Sequence, residues 1–328
     1  KREREREREE KRRRTTKPAC MLRGSLHWTW VRRTRFLRNY ASSSSSSSSC
    51  FSSLMEPSPA RSSFCLKRGR GEERAFKSAA SNMSTTAWVG NQSQEEFMQK
   101  DMCILVNESD EVTGYANKKD CHVFNAKQPK GLLHRAFSVF LFNERNELLL
   151  QQRASTKITF PSVWTNSCCS HPLNGYEPSE VESLVDTESG RTPGTINAAV
   201  RKLDHELGIR PDQVPKDKFK FQTRLHYCAR DDSTKKEESW SWGEHEMDYI
   251  LLIRTNEALD VVPNAEEVDD WKYVNAQELK DMMEDKDLLW SPWFRIIEKE
   301  FLHTWWENLD EALTSQTFVD NKIHKLVL

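Results

Sequence analysis

Short apolar runs separated by polar turns begin at residue 102 and continue almost to the end of the chain. Met102–Val106 predicts a first strand. Ala136–Phe142 and Leu148–Gln152 flank the turn-like cluster Asn143-Glu144-Arg145-Asn146, which predicts a hairpin. The period then changes: Ile196, Ala199, Val200, Leu203 and Leu207 recur on one helical face, and Gly208 supplies a stop, so Ile196–Leu207 predicts a helix. Phe219–Ala229 and Glu246–Arg254 predict further strands, and Glu267–Val274 a short one. From Pro292 through Trp306 the spacing of Trp293, Phe294, Ile297, Phe301 and Trp305 predicts an amphipathic helix. Strands and helices thus mix within one α+β domain, taken to span 84–328, which is large enough for a substantial core. Tyr176–Arg191 is acidic and lacks a clear period, and it reads as a surface loop or short helix with no site.

Composition separates the first quarter from this domain. Residues 1–83 hold 21 Lys and Arg against 8 Asp and Glu, whereas the remainder holds 28 against 42. Lys1–Glu10 is an Arg-Glu repeat with no apolar residue to bury, so it is expected to stay solvated. Between Lys11 and Gly71 the one acidic residue is Glu56, Arg is frequent, and Ser42–Ser49 is unbroken serine. That composition predicts a disordered organelle transit peptide, with a nucleic-acid-binding basic arm as the alternative. Met21 would then start a targeted form and Met83 an untargeted, cytosolic one. No apolar run approaches the roughly 20 residues of a membrane span. Five of the eight Cys lie beyond residue 83 with no CxxC spacing, which points to a reducing compartment rather than a disulfide framework or a structural zinc site.

The chemistry-bearing residues gather around Thr165-Asn166-Ser167-Cys168-Cys169-Ser170-His171-Pro172, where a thiol stands two positions from an imidazole. His122 and His134 lie upstream, and Glu244 and Glu246 downstream. Imidazoles and carboxylates serve zinc, manganese or magnesium, so His122, His134, His171, Glu244 and Glu246 form a candidate ligand set. Glu244 and Glu246 are two apart on what reads as a strand edge, so both point to one side.

Four motifs in order, His134-Arg135-Ala136-Phe137-Ser138, Thr165 to Pro172, Glu244-His245-Glu246 and Ser291-Pro292-Trp293, carry a resemblance to the type 1 isopentenyl-diphosphate isomerases from about Met102 to Trp306. The resemblance implies a Nudix-like α/β/α sandwich with a mixed sheet. It also implies antarafacial interconversion of isopentenyl and dimethylallyl diphosphate through a tertiary carbocation-like state, with two groups flanking a flat five-carbon chain. By position it implies Cys169 and Glu246 as the acid–base pair, which of them protonates being left open. Tyr227 would assist beside Glu246, and Trp293 would present its ring to the cation. The five His and Glu residues would hold a divalent metal, magnesium with zinc or manganese as alternatives. Lys118, Arg153, Lys157 and Lys202 would meet the diphosphate.

Cys168 is expected to be a small buried hydrophobe. Trp164, Trp240, Trp242, Trp271, Trp290, Trp305 and Trp306 are expected to pack in the core. The stretch Arg201–Ile209 resembles a degraded Nudix box in which Lys202 and His205 replace carboxylates and Glu206 remains. One acid suits magnesium held against a diphosphate better than it suits hydrolysis. The expected partner is a small-molecule substrate, with no nucleic acid and no membrane, acting on a monomer in the plastid. The rivals are a Nudix hydrolase and a noncatalytic zinc- or RNA-binding module.

Overall fold

The computed structural model describes residues 93–234 and 240–327. The transit peptide, the Arg-Glu repeat, Met21 and Met83 lie outside the described residues.

In chain order the strands are β1 (Met102–Val106), β2 (Val112–Asn117), β3 (Val123–Asn125), β4 (His134–Phe142), β5 (Leu148–Arg153), β6 (Trp164–Thr165), β7 (Cys168–Ser170), β8 (Lys220–Arg230), β9 (Trp240–Arg254), β10 (Val268–Val274) and β11 (Ile323–Val327). The main sheet runs β10-β5-β4-β9-β8-β11, with β4–β9 and β8–β11 parallel and the other main pairs antiparallel. All nine residues of β4 are buried, since both faces of this central strand are covered. Phe140 and Phe142 face one core with Leu225, Ile250, Leu252 and the C-terminal aromatics. Phe137, Val139 and Leu141 face the other, with Ala199, Leu203 and Leu207. A mixed sheet between two helical layers is the expected α/β/α sandwich.

The helix over the second core runs Pro193–Leu207, three residues longer at its start than its apolar period showed, because Pro193 supplies a preset first turn. It ends at Gly208, whose φ of +64° brings its Cα within reach of the Val262 backbone. A Cβ there would stand 2.4 Å from Val262 O, so no other residue fits. On the opposite face, helix Pro292–Ile297 continues through a π turn at Glu298–Leu302 into His303–Glu307. It buries Trp293, Phe294, Ile297 and Trp305. Each fully buried side chain of that size contributes about 1.5–3 kcal/mol.

Several expectations change. The β4–β5 hairpin pairs only at Phe142–Leu148, because Trp164–Ser170 wedges between its arms: β6 pairs with β5 and β7 with β4. Ser167 sits at the crossing, accepting Leu141 N–H at 2.8 Å and donating to Leu149 O at 2.6 Å. β9 begins at Trp240 and is an interior strand between β4 and β8, not an edge. Trp164, Trp290, Trp305 and Trp306 are core, but Trp240 is exposed and Trp242 and Trp271 are half-buried. Within Tyr176–Arg191 a short helix spans Leu184–Ser189, yet the segment is more than surface: Glu180 and Glu182 are buried. Glu182 accepts the Gly194 and Thr195 N–H groups and so caps the long helix. Among the described residues no helix is long and apolar enough to cross a membrane.

Candidate active site and metal centre

Strand register assembles the site. His134 opens β4 directly beside Glu246 of β9, and Tyr227 of β8 stands on the other side of Glu246. Period-two alternation then puts Glu244, Glu246 and Asp248 on one face of β9. In β7, Cys169 lies opposite Ser138 on that same face, while Cys168 turns into the second core. The bulk of the five-residue set is completed by His122, at the end of the short helix Lys118–His122, and His171, just beyond β7.

One ligand atom from each of His122, His134, His171, Glu244 and Glu246 lies within 4.8 Å of all the others, and all five residues are buried. His122 Nε2 is 2.7 Å from Glu244 Oε2, and His171 Nε2 is 2.8 Å from Glu246 Oε1. His122 Nδ1 lies 2.5 Å from Lys118 O and His134 Nδ1 2.7 Å from Leu132 O. Carbonyls only accept, so both Nδ1 atoms carry the hydrogen. Burial lowers His122 to about 3 and pushes His134 well down, so both rings are neutral and both Nε2 atoms present bare lone pairs. Among the described residues these Nε2 atoms and Glu244 Oε2 have no hydrogen-bond partner. Lone pairs facing carboxylate oxygens in a dry cluster repel unless a cation or a carboxyl proton lies between them, and neutral imidazoles oriented by backbone carbonyls are the usual metal-binding form. The donor set therefore fits a divalent metal.

Around this cluster the expected site residues line one narrow pocket: Lys118, Arg153, Lys157, Cys169, His171, Lys202, Glu206, Tyr227, Glu244, Glu246 and Trp293. An outer cleft of about 400 Å³ shares Lys118, Ser170, His171 and Lys202 with it and opens to solvent. A separate groove of about 480 Å³ lies beside residues 253–259, and none of the expected site residues line it.

Tyr227 Oη donates to Glu246 Oε2. Burial, reinforced by the Glu244 charge, pushes Glu246 well above the carboxylate range, and burial raises Glu244 to about 7. Burial also pushes the Cys169 thiol up to about 12 against the pull of Arg153. Cys169 keeps partial solvent access through the pocket. Trp293 packs 6.4 Å from the Tyr227 ring and edge-on to Phe160.

The basic residues are engaged rather than loose. Arg153 spends Nε on Phe160 O at 3.0 Å and Nη2 on Thr159 O at 2.9 Å, with its guanidinium 5.8 Å from the Trp293 ring centre. That loop holds Phe160 at φ +48° and Ser162 at φ +60°, a strained path for residues with side chains. Lys157 pairs with Glu267, and Lys202 lies 3.1 Å from Glu206 and 2.9 Å from His205 Nδ1. Glu206 stands apart from the five-ligand cluster; it accepts from Gln151 at 3.0 Å and contacts Cys168 Sγ at 3.5 Å.

The groups that support these residues carry no local mark in the sequence. Asn166 accepts Trp293 Nε1–H at 3.2 Å and Thr165 Oγ1–H at 2.9 Å while donating to Val139 O and Cys168 O. Arg201 is clamped by Glu180, stacks on Tyr176 and reaches His171 O at 3.3 Å, so the acidic 176–191 segment braces a cluster histidine. Glu267 gave no local signal.

A family model described as NUDIX domain matches residues 132–294. The isopentenyl-diphosphate delta-isomerase of Gibberella zeae is 48% identical over 70% of this chain and 85% of its own length. That of Schizosaccharomyces pombe is 46% identical over 70% and 92%. The Isopentenyl-diphosphate Delta-isomerase 1, chloroplastic, of Cannabis sativa is 46% identical over 76% and 83%. Identity at this level across most of each relative places the chain in the isopentenyl-diphosphate delta-isomerase family, built on a NUDIX domain.

Proposed function

We propose that this protein interconverts isopentenyl and dimethylallyl diphosphate, supplying the two five-carbon units of isoprenoid synthesis. The observation that carries the reading is that Cys169 and Glu246, from strands on either side of β4, line one pocket floored by an aromatic ring and rimmed by cations. Moving the double bond requires a proton added at the terminal alkene carbon and another removed two carbons away. One of the pair gives a proton and the other takes one, so the proton count of the pair is conserved over the turnover. Between the two transfers positive charge sits on the tertiary carbon, where the Trp293 face attracts it without bonding to it. Tyr227 holds Glu246 by its Oε2 oxygen, fixing the direction of the carboxyl.

A divalent metal, magnesium or else zinc or manganese, held by His122, His134, His171, Glu244 and Glu246 would set the acidity of the Glu246 carboxyl. Lys118, Arg153, Lys157 and Lys202 bind the diphosphate, and Glu206 would hold a magnesium ion against it. The catalytic domain, 84–328, acts as a monomer on this small molecule. Residues 1–83 carry it to the plastid, and synthesis from Met83 leaves it in the cytosol. Incubating the purified chain with isopentenyl diphosphate and magnesium and following ¹H and ³¹P NMR tests the activity. Appearance of dimethylallyl diphosphate supports it; release of phosphate, or no turnover, moves the hydrolase or binding-module reading forward.

A further inference from the structure

Glu267 precedes β10 and has no part in the chemistry above. Its carboxylate is buried, and four side chains from three parts of the chain converge on it. Lys157 Nζ bonds Oε2. Oε1 accepts Gln94 Nε2–H at 3.2 Å and faces His205 Nδ1 at 3.8 Å and Lys202 Nζ at 4.0 Å. The backbone is pinned as well: Glu267 N–H donates to Asn264 O and Glu267 O accepts Ala154 N–H, both at 2.9 Å, and Ala154 O in turn accepts Lys157 N–H at 3.1 Å. The acid is therefore fixed relative to the loop that carries its main partner.

Lys118, Arg153, Lys157 and Lys202 line the narrow pocket, and Glu267 borders the outer cleft that shares Lys118 and Lys202 with it. Four cations gathered at one mouth suit an incoming polyanion. Lysine carries a compact charge on a flexible stem, with about 2 kcal/mol of rotamer entropy to lose, so aiming two ammonium groups at one place needs a partner. Burial drags Lys157 down to about 8, and Glu267 is the chief group opposing that fall.

We propose that Glu267 is a positioning residue that aims Lys157 and Lys202 at the substrate's diphosphate and is itself braced by Gln94 from helix Gln94–Lys100. This rests on the isomerase reading.

The test uses the full chain with Glu267→Gln, Lys157→Met and the double variant. It measures KM and kcat with isopentenyl diphosphate and, separately, the Kd of magnesium pyrophosphate by calorimetry. We expect Glu267→Gln to raise KM and Kd roughly tenfold with kcat within threefold, Glu267→Asp to recover most of the loss, and the double variant to lose less than the product of the two single losses. A tighter or unchanged Kd, as when Glu267 only neutralises the lysines, overturns the proposal, and so do additive losses in the double variant. If Glu267→Gln lacks a cooperative melt, Gln94→Ala carries the test, with a KM rise of twofold to fivefold expected and an unchanged KM overturning it. A wild type without turnover defeats the isomerase reading, while its pyrophosphate Kd still reports on Glu267.

Discussion

Tyr227 and Glu246 face each other across the β8–β9 ladder, and the phenol hydrogen of one is spent on the carboxylate of the other. Because Glu246 also pairs in register with His134 and meets His171, a single carboxylate joins the imidazole cluster to the acid–base pocket. Removing the phenol hydroxyl leaves that carboxylate buried with one partner fewer. Glu246 carries charge at one stage of the two proton transfers, and a hydrogen bond to a charged group contributes about 1.5–3 kcal/mol, so Tyr227→Phe is expected to lower kcat roughly 10- to 150-fold with little change in KM. Steady-state kinetics decide it; an unchanged kcat would remove Tyr227 from the mechanism.

The five-residue cluster is expected to hold one divalent ion per chain. Elemental analysis of the purified protein should find about one equivalent, and His122→Gln should lose it, since the partners that orient such ligands typically matter 10- to 100-fold in affinity and the ligands at least as much. Chelation should lower the melting temperature of the wild type and leave that of His122→Gln unmoved. Equal metal content in both proteins would mean that the bare Nε2 of His122 is not a ligand.

Cys169 should remain a thiol through neutral pH. Its ordinary value is 9.0 and burial pushes it up to about 12. The unfolded chain loses this proton near pH 9 while the native state keeps it, so the contribution to stability is whole below pH 9 and is lost as pH rises from 9 towards 12. Urea midpoints measured from pH 8 to 11 should therefore fall less steeply for Cys169→Ser than for the wild type. Identical slopes would contradict the burial account.

Asn166 ties the motif Thr165–Pro172 to the tryptophan that covers the pocket. Asn166→Ala leaves the Trp293 indole N–H and the Val139 and Cys168 carbonyls without that partner, each at about 1–3 kcal/mol when buried. Expected is a loss of several °C in melting temperature together with reduced turnover. Differential scanning calorimetry beside kinetics measures both, and an Asn166→Ala protein that melts and turns over like the wild type would contradict this role.

Local pattern revealed the parts of the fold whose physics is local. The helix ending at Gly208 and strands β1, β4, β8 and β10 followed from period and punctuation alone, within a few residues. The wedge of Trp164–Ser170 into the β4–β5 hairpin was not legible, because Ser167 and Asn166 act by bonding backbone groups that lie distant in sequence. Helix Gln94–Lys100 and strand β11 are short and depend on tertiary partners, and β11 pairs in parallel with β8 across about a hundred residues. Among the expected site residues the histidines, glutamates and Cys169 rest on the resemblance that four ordered motifs carry, since a lone His or Glu has no mark of its own in the sequence. Glu267 was not legible: it sits beside Glu266, which is exposed, and only the fold buries one of the two. The left-handed Phe160 that shapes the Arg153 loop also carries no mark in sequence, since neither it nor Ser162 is glycine.

If Cys169 and Glu246 move protons on one five-carbon chain, solvent deuterium must enter the product, and its placement tests their roles most directly. Isopentenyl diphosphate, magnesium and the protein in deuterated water should yield dimethylallyl diphosphate carrying deuterium in a methyl group, with no orthophosphate, and Cys169→Ala and Glu246→Gln should each abolish that label. Turnover by Cys169→Ala at the wild-type rate, or product without deuterium, would contradict those roles.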